Sequence, residues 1–315
     1  MNPDTYSEWL RRQGHHVYRT PSSYWYDVAP HILQAFPYGW LIEPCEEELR
    51  ELQTKDNALA LRYSTPITAP EGMVSYHVIL EPPYHLDLLK PQARNGVRRG
   101  LSNATVEEIP FERLADEGWA LQQDTLSRQN RLSSMSKATW ERLCLSAKGL
   151  PGFIAWGALV NGELAAALIT CQIDETFYVP YAASRQKFLN AHVNNALFYQ
   201  VSCNLLAMPG IKSIFFSLHS LDAPESINEF KFRMGLQAKL VRQRVVFHPI
   251  FRGLAAQPAF RHTIHWLKER FPANSTLSKA DGMLWFYANG KLPICEQDWP
   301  KCVSEQREKY LQKTA

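Results

Sequence analysis

The spacing of apolar positions changes along this chain, and the changes mark out its elements. Residues 153–160, Phe-Ile-Ala-Trp-Gly-Ala-Leu-Val, form an unbroken apolar run that reads as a buried strand. Asn161-Gly162 follows, and both residues accept the positive φ of a type I′ turn, so 163–173 is the return strand. Asp174-Glu175 turns the chain into 176–181, completing an antiparallel meander. The period then becomes helical. Val193, Leu197, Val201, Leu205 and Met208 recur at helix spacing, with Asn190 placed as the cap and Pro209-Gly210 as the stop. Residues 212–218 are a further buried strand, reached through a helix and therefore expected to pair in parallel with its predecessor. Ser226 and Glu229 have capping-box spacing for a short helix over 227–234, which Gly235 ends, and 238–247 is a last strand.

Upstream of the meander, the pattern predicts a strand at 105–109 and helices at 111–129 and 137–148. The first hundred residues read as mixed α/β: a helix near 6–13, strands at 39–42, 58–64 and 73–80, and an acidic helix at 45–54. Tyr6, Trp9, Tyr18, Tyr24, Trp25 and Tyr26 are packing residues for this segment or line a groove. Residues 86–101 read as a helix weakened by Gly96 and Gly100, with Gly100 as its stop. Beyond His248-Pro249 the expectations are an amphipathic helix at 259–270, a strand at 282–288 and a charged helix at 303–312.

Strand-strand-strand-helix-strand-helix-strand, preceded by a strand and two helices, resembles the core of the GNAT acyltransferase superfamily. Phe230-Lys231-Phe232-Arg233-Met234-Gly235 is similar to the Phe-Lys-x-x-Phe-Gly segment of Fem-type ligases and related GNAT-like acyltransferases. The resemblance covers residues 95–250. It implies an α/β mixed-sheet fold in three parts: an N-terminal partial GNAT-like unit over 1–100, a GNAT-like acyltransferase core over 101–250 and a short helical extension over 251–315. GNAT enzymes carry a glycine-rich loop whose N–H groups hold the coenzyme A pyrophosphate. Here the equivalent stretch, residues 184–193, contains no glycine. Fem-type ligases, which take an amino acid from aminoacyl-tRNA, also lack that loop.

Composition narrows this little. A chain of 315 residues, 45% hydrophobic and 21% charged, has the make-up of a globular protein with room for two domains. It has no unbroken apolar run near membrane-spanning length. Met-Asn-Pro-Asp-Thr-Tyr lacks the features of a signal peptide, so a cytoplasmic location is expected. None of the six cysteines sits in a Cys-x-x-Cys pair, and small core residues are expected rather than a metal site or disulfides. The net charge of +3 makes no case for nucleic acid by itself. Arg94, Arg98 and Arg99, and Lys239, Arg242, Arg244 and Arg252, read either as phosphate contacts for coenzyme A or tRNA or as solvated faces.

Acyl transfer to an amine needs a held donor, hydrogen-bond donors for the developing oxyanion and a route for the amine proton. Lys231 is the first candidate, its ammonium placed to stabilise a developing oxyanion or bind phosphate; the Fem-type resemblance implies that it handles the acyl donor, with Arg233 as an accessory. In the loop at 218–225, His219 is placed to relay a proton, and Asp222 or Glu225 to orient it or bind a cationic acceptor. Tyr181, Ser184, Arg185 and Lys187 occupy the stretch where a GNAT fold meets its donor, and Asn194 begins the next helix. These expectations describe an N-acyltransferase moving an activated acyl group, from acyl-CoA, to a small-molecule or peptide amine. An aminoacyl-tRNA-dependent ligase of Fem type and a GNAT-derived binding module without catalysis are the rival readings. A splay between the strands at Tyr178 and Phe215, opening toward Lys231, is the feature expected of an enzyme.

Overall fold

In the computed structural model, which describes residues 2–55, 57–128, 135–221 and 226–314, the chain opens with helix α1 (Pro3–Gln13). Asn2 caps it by accepting from the Asp4 N–H, and Gly14 stops it at φ 98°. There follow β1 (Val17–Arg19), β2 (Tyr24–Ala29), β3 (Ile32–Phe36), α2 (Glu46–Lys55), β4 (Ala60–Thr65), β5 (Met73–Leu80), α3 (Pro91–Asn103) and β6 (Thr105–Glu108). The middle of the chain forms α4 (Phe111–Arg128), α5 (Lys137–Ser146), β7 (Phe153–Val160), β8 (Glu163–Ile173), β9 (Thr176–Ser184), α6 (Val193–Leu206), β10 (Ser213–Leu218), α7 (Ser226–Arg233) and β11 (Gln237–Phe247). Helices α8 (Pro249–Ala256), α9 (Pro258–Arg270), α10 (Ser275–Asn289) and α11 (Ser304–Thr314) complete it. The fold is mixed α/β, as the pattern predicts.

Two compact units result, neither continuous in sequence. The first comprises residues 1–14, 78–217 and 224–237, the second 15–77, 218–223 and 238–315. Divisions at residues 100 and 250 do not mark them. Residues 238–247, expected to close the core, instead join the second unit through antiparallel pairing of β11 with β4, from Arg242↔Thr65 to Phe247↔Ala60.

In the first unit β6, β7, β8 and β9 are successively antiparallel, and β10 pairs with β9 in parallel, as the intervening helix requires. Asn161 and Gly162 both hold positive φ (52° and 82°), the type I′ signature that sets the β7–β8 register. On the sheet, Trp9 packs its indole 5.2 Å from the Phe153 ring and donates to the Leu143 carbonyl. Trp140 is buried and lies over Gly118 of α4, where a Cβ would come within 2.6 Å of the indole. Helices α3 and α6 meet through small residues: a Cβ on Gly100 would stand 2.5 Å from the His192 carbonyl oxygen and 2.9 Å from the Ala196 Cβ. Gly100 is therefore a close-approach residue inside α3, which continues to Asn103, and not its stop. Helix α6 likewise starts later than expected. Asn190 lies in a short 3₁₀ turn, and His192, at φ 56°, occupies the cap position of α6.

In the second unit β1, β2 and β3 are antiparallel, β3 runs parallel to β4, and β4 pairs with β11. The aromatic stretch around residues 24–26 is thus a strand, with Tyr24, Trp25 and Tyr26 all buried. Residues 39–42 are not a strand: Trp40 N–H closes a turn on the Pro37 carbonyl, and Ile42 reaches the Ser64 carbonyl with one bond. Residues 282–288 are not a strand either. They belong to α10, capped by the Asn274 carboxamide, with Met283, Leu284, Phe286 and Tyr287 buried at helical spacing and Trp285 exposed. A short apolar run fits both periods, and the polar residues before it decide for the helix.

Candidate functional site

Parallel pairing of β9 and β10 covers Ser213↔Thr176, Ile214↔Phe177 and Phe215↔Tyr178 and then ceases, although β9 runs on to Ser184 and β10 to Leu218. Pro180, just past the last pair, has no N–H to offer a neighbouring strand. On its other side β9 is irregular over the same stretch, where its register with β8 shifts between Tyr178 and Tyr181. The two strands therefore part at the position the sequence marks.

Ser217 lies on β10 beyond the last pair, and its Oγ accepts a hydrogen bond from the Lys231 ammonium at 2.7 Å. Lys231 is half-buried on α7. Its neighbour Phe230 sets its ring edge-on to Phe198 of α6 at 5.3 Å, and Phe198 stacks on Phe216 of β10 at 5.2 Å. The buried Met234 anchors the end of α7: its carbonyl accepts from the Tyr84 hydroxyl at 3.0 Å, and its Sδ lies 3.3 Å from Asn195 Nδ2. Gly235, at φ 90°, then releases the chain from the helix. This framework holds the ammonium out of water, and burial pulls its pKa down from the ordinary lysine value to about 8. At pH 7 Lys231 is still mostly protonated. It presents a positioned cation with donors beyond the one given to Ser217.

The residues expected around the donor are largely engaged with the protein. Ser184 is buried. Its Oγ accepts from Arg128 Nη2 at 3.0 Å and from Asn194 Nδ2 at 3.2 Å, and its carbonyl accepts from Arg128 Nη1 at 2.9 Å. Its N–H donates to Thr125 Oγ1. Asn194 and Ser184 are thus brought together, with Arg128 and Thr125 of α4 as partners that sequence reasoning missed. Arg185 Nε lies 3.1 Å from Asp124 Oδ2, and the same oxygen accepts from the Gln186 N–H. Lys187 pairs with Glu163 at 2.5 Å and lies over the Phe188 ring. Tyr181 sets its ring against Trp140 at 5.0 Å, its hydroxyl reaches the Met135 sulfur at 3.6 Å, and burial raises its pKa. Arg233 is exposed. Asp222 and Glu225 lie outside the described residues, as does most of the connector at 129–136.

His219 is part of the second unit and sits in a polar nest there. Its ring stacks on Tyr76 at 4.7 Å and meets Phe286 at 5.3 Å, and its Nδ1 lies 3.2 Å from Ser75 Oγ. Its carbonyl accepts from Arg62 Nη2 at 2.8 Å. Burial, helped by the Arg62 charge, lowers its pKa to about 4, so the ring is neutral at pH 7 and a weak base. Nearby, His77 Nε2 lies 2.8 Å from Ser64 Oγ, and the same two causes lower its pKa to about 3. Two of the β11 cations are also engaged within the protein. Arg242 donates to the Ile67 and Pro70 carbonyls, and Arg244 to Glu71, Glu46 and the Tyr63 hydroxyl. Arg98 and Arg99 are exposed on α3.

Ser217 was the partner most open to detection. It is a polar position facing away from its apolar neighbours in Ser-Ile-Phe-Phe-Ser-Leu, on the strand that leads toward the Lys231 helix.

No family model matches this chain, and no curated protein matches it in sequence. Solved structures do. The crystal structure of FemX aligns over 79% of this chain and 92% of its own at 12% identity, with a TM-score of 0.56. A C-terminal domain assigned to lysylphosphatidylglycerol synthetase from Agrobacterium fabrum aligns over 80% and 89% at 11% identity, TM-score 0.51. L-PGS from Bacillus licheniformis aligns over 78% and 92% at 12% identity, TM-score 0.50. At such identities the likeness is one of fold. This chain shares the mixed α/β fold of these three structures.

Proposed function

We propose that this protein is an acyl- or aminoacyl-transferase in which Lys231 holds the activated donor. The observation that carries the reading is the desolvated Lys231 ammonium, fixed on Ser217 just past the point where β9 and β10 separate. A parted pair of strands exposes backbone groups that an extended acyl or aminoacyl moiety can meet. A cation held there stabilises negative charge developing on a carbonyl oxygen, or binds a phosphate of the donor, without needing a covalent nucleophile. The acceptor attacks the donor carbonyl, the bond to the leaving group breaks, and the acceptor's proton is lost to solvent or to a base.

Between the two donor classes, charged tRNA is favoured over acyl-CoA. The stretch 184–193 has no glycine cradle for a pyrophosphate. Its cationic side chains are committed too, Arg185 to Asp124 and Lys187 to Glu163. Two of the fold neighbours bear names, FemX and lysylphosphatidylglycerol synthetase, that support aminoacyl transfer as the chemistry of such a fold. An acyl-CoA donor and an amine acceptor remain the second reading, supported by the GNAT-like order of elements.

The test is donor turnover. Wild-type protein is incubated with tRNA charged with labelled amino acids, and separately with acetyl-CoA and longer acyl-CoAs, each with a pool of amine acceptors. The proposal expects label to leave tRNA for an acceptor, with Lys231→Met slower by about 100-fold or more. Thiol release from acyl-CoA alone would select the second donor. Turnover of neither would leave the binding module as the better account.

A further inference from the structure

We propose that helices α8 and α9 form a peripheral membrane-binding surface for anionic lipid. The two helices are joined through Gln257, which ends one and precedes the other. Their inner faces lie on the same core cluster of the second unit: Ala255 is buried in it, and Phe251, Phe260 and Ile264 pack against it. The Phe251 and Phe260 rings meet edge-on at 5.7 Å. Those contacts account for the attachment of both helices. They do not account for the apolar residues on the other sides. Ile250 is 87% exposed, Trp266 61% and Phe271 54%, with Leu254 also in water. Large apolar side chains displayed this way on adjoining helices mark a surface that binds something.

Charge indicates what it binds. Residues 249–272 carry Arg252, Arg261, Lys268 and Arg270 against the single carboxylate Glu269, an excess as large as that of the whole 315-residue chain. Asp281 of α10 pairs with Lys268 and His265, and His265 also faces Glu269, so Lys268 is partly neutralised. Arg252 and Arg270 are exposed. Trp266 stands one helical turn from His262 and one from Arg270 on the same stripe of α9. Indole with flanking cations suits the headgroup level of a bilayer, where the ring enters the interface and the guanidinium meets lipid phosphate. A protein partner of opposite charge, or a second copy of this chain, is the competing occupant. A second copy would set the same cations against each other, which disfavours it.

The experiment is co-sedimentation of the full chain with vesicles of phosphatidylcholine alone and of phosphatidylcholine mixed with phosphatidylglycerol. The proposal expects binding to the mixed vesicles, weakened by salt, and little binding to the neutral ones. Ile250→Asp/Trp266→Ser should reduce partition by about tenfold or more at unchanged melting temperature, since both side chains lie in water. Arg252→Glu/Arg270→Glu should abolish the preference for anionic lipid. Absence of binding to the mixed vesicles would overturn the proposal, as would equal binding by Ile250→Asp/Trp266→Ser. So would a concentration-dependent dimer in sedimentation velocity that this variant dissolves while vesicles bind neither form. None of these readouts uses donor turnover, so failure here leaves the reading of Lys231 untouched.

Discussion

Lys231 is a side chain whose burial is costly to the fold at neutral pH. Its ammonium is taken out of water with a serine hydroxyl as partner, and its pKa falls to about 8. The sign follows from proton uptake. Between about pH 8 and the unfolded lysine value near 10.4, the unfolded chain holds a proton that the folded chain releases. The destabilisation is therefore fully present below pH 8 and is relieved as pH rises through that window. Lys231→Met should raise stability at pH 7 by about 1–2 kcal/mol, a gain that shrinks above pH 8, while transfer is lost. Urea midpoints across this range measure it. A Lys231→Met protein less stable than wild type at pH 7 would mean that the ammonium supports the fold.

Two histidines of the second unit act in the same direction as Lys231, in a more acidic window. His219 and His77 stay neutral down to about pH 4 and about pH 3. Below about pH 6.5 the unfolded chain takes up protons that they refuse, so stability is lost as pH falls. Replacing His77 with Gln, which keeps a donor and an acceptor near Ser64, should flatten the stability curve between about pH 6 and pH 4 by about one proton. Denaturant titrations at several pH values test this. A parallel curve in the variant would rule out His77 as a source of acid sensitivity.

Among the elements, α3 and α6 owe their approach to glycine. Gly100→Ala places a methyl group against backbone, the His192 carbonyl and Ala196, and should destabilise by about 2–3 kcal/mol. Gly96→Ala finds the Asn195 side-chain amide as its nearest neighbour, not backbone, and should cost less. Calorimetry of the two variants gives the ranking, and an equal loss would place the tight contact elsewhere. This pair also shows what the sequence could reveal. The meander 153–184, the parallel return of β10 and the short Lys231 helix were legible because turn chemistry and apolar period agree there. Gly96 and Gly100 pointed the wrong way, because propensity counts a glycine's cost in a helix but not the neighbour it admits. β1 to β3 escaped notice, since an aromatic stretch packs equally well in a loop, a helix or a strand. At the candidate site, the motif singled out Lys231 as the residue to test. The Arg128–Ser184–Asn194 network was not, because it depends on which side chains the end of α4 brings to β9.

At the scale of the molecule, the chain builds two compact units from interleaved segments, each containing strands and helices. Local patterns predict elements well and their allocation poorly. Residues 238–247 read correctly as a strand, yet their pairing with β4 joins parts of the chain far apart in sequence, which no local pattern encodes. The fold is shared with FemX at 12% identity, so the arrangement of elements persists where the sequence does not.

The central claim is that Lys231 engages the activated donor, and the most direct measurement is donor-induced stabilisation of wild type and Lys231→Met. A ligand that binds only the folded state raises the melting temperature by mass action, by about 2.7 kcal/mol of stability at a hundredfold excess over Kd. Wild type should be stabilised by charged tRNA more than by uncharged tRNA or acyl-CoA, and Lys231→Met should lose that difference while melting no lower than wild type without ligand. A variant that is stabilised by charged tRNA as fully as wild type would contradict the claim.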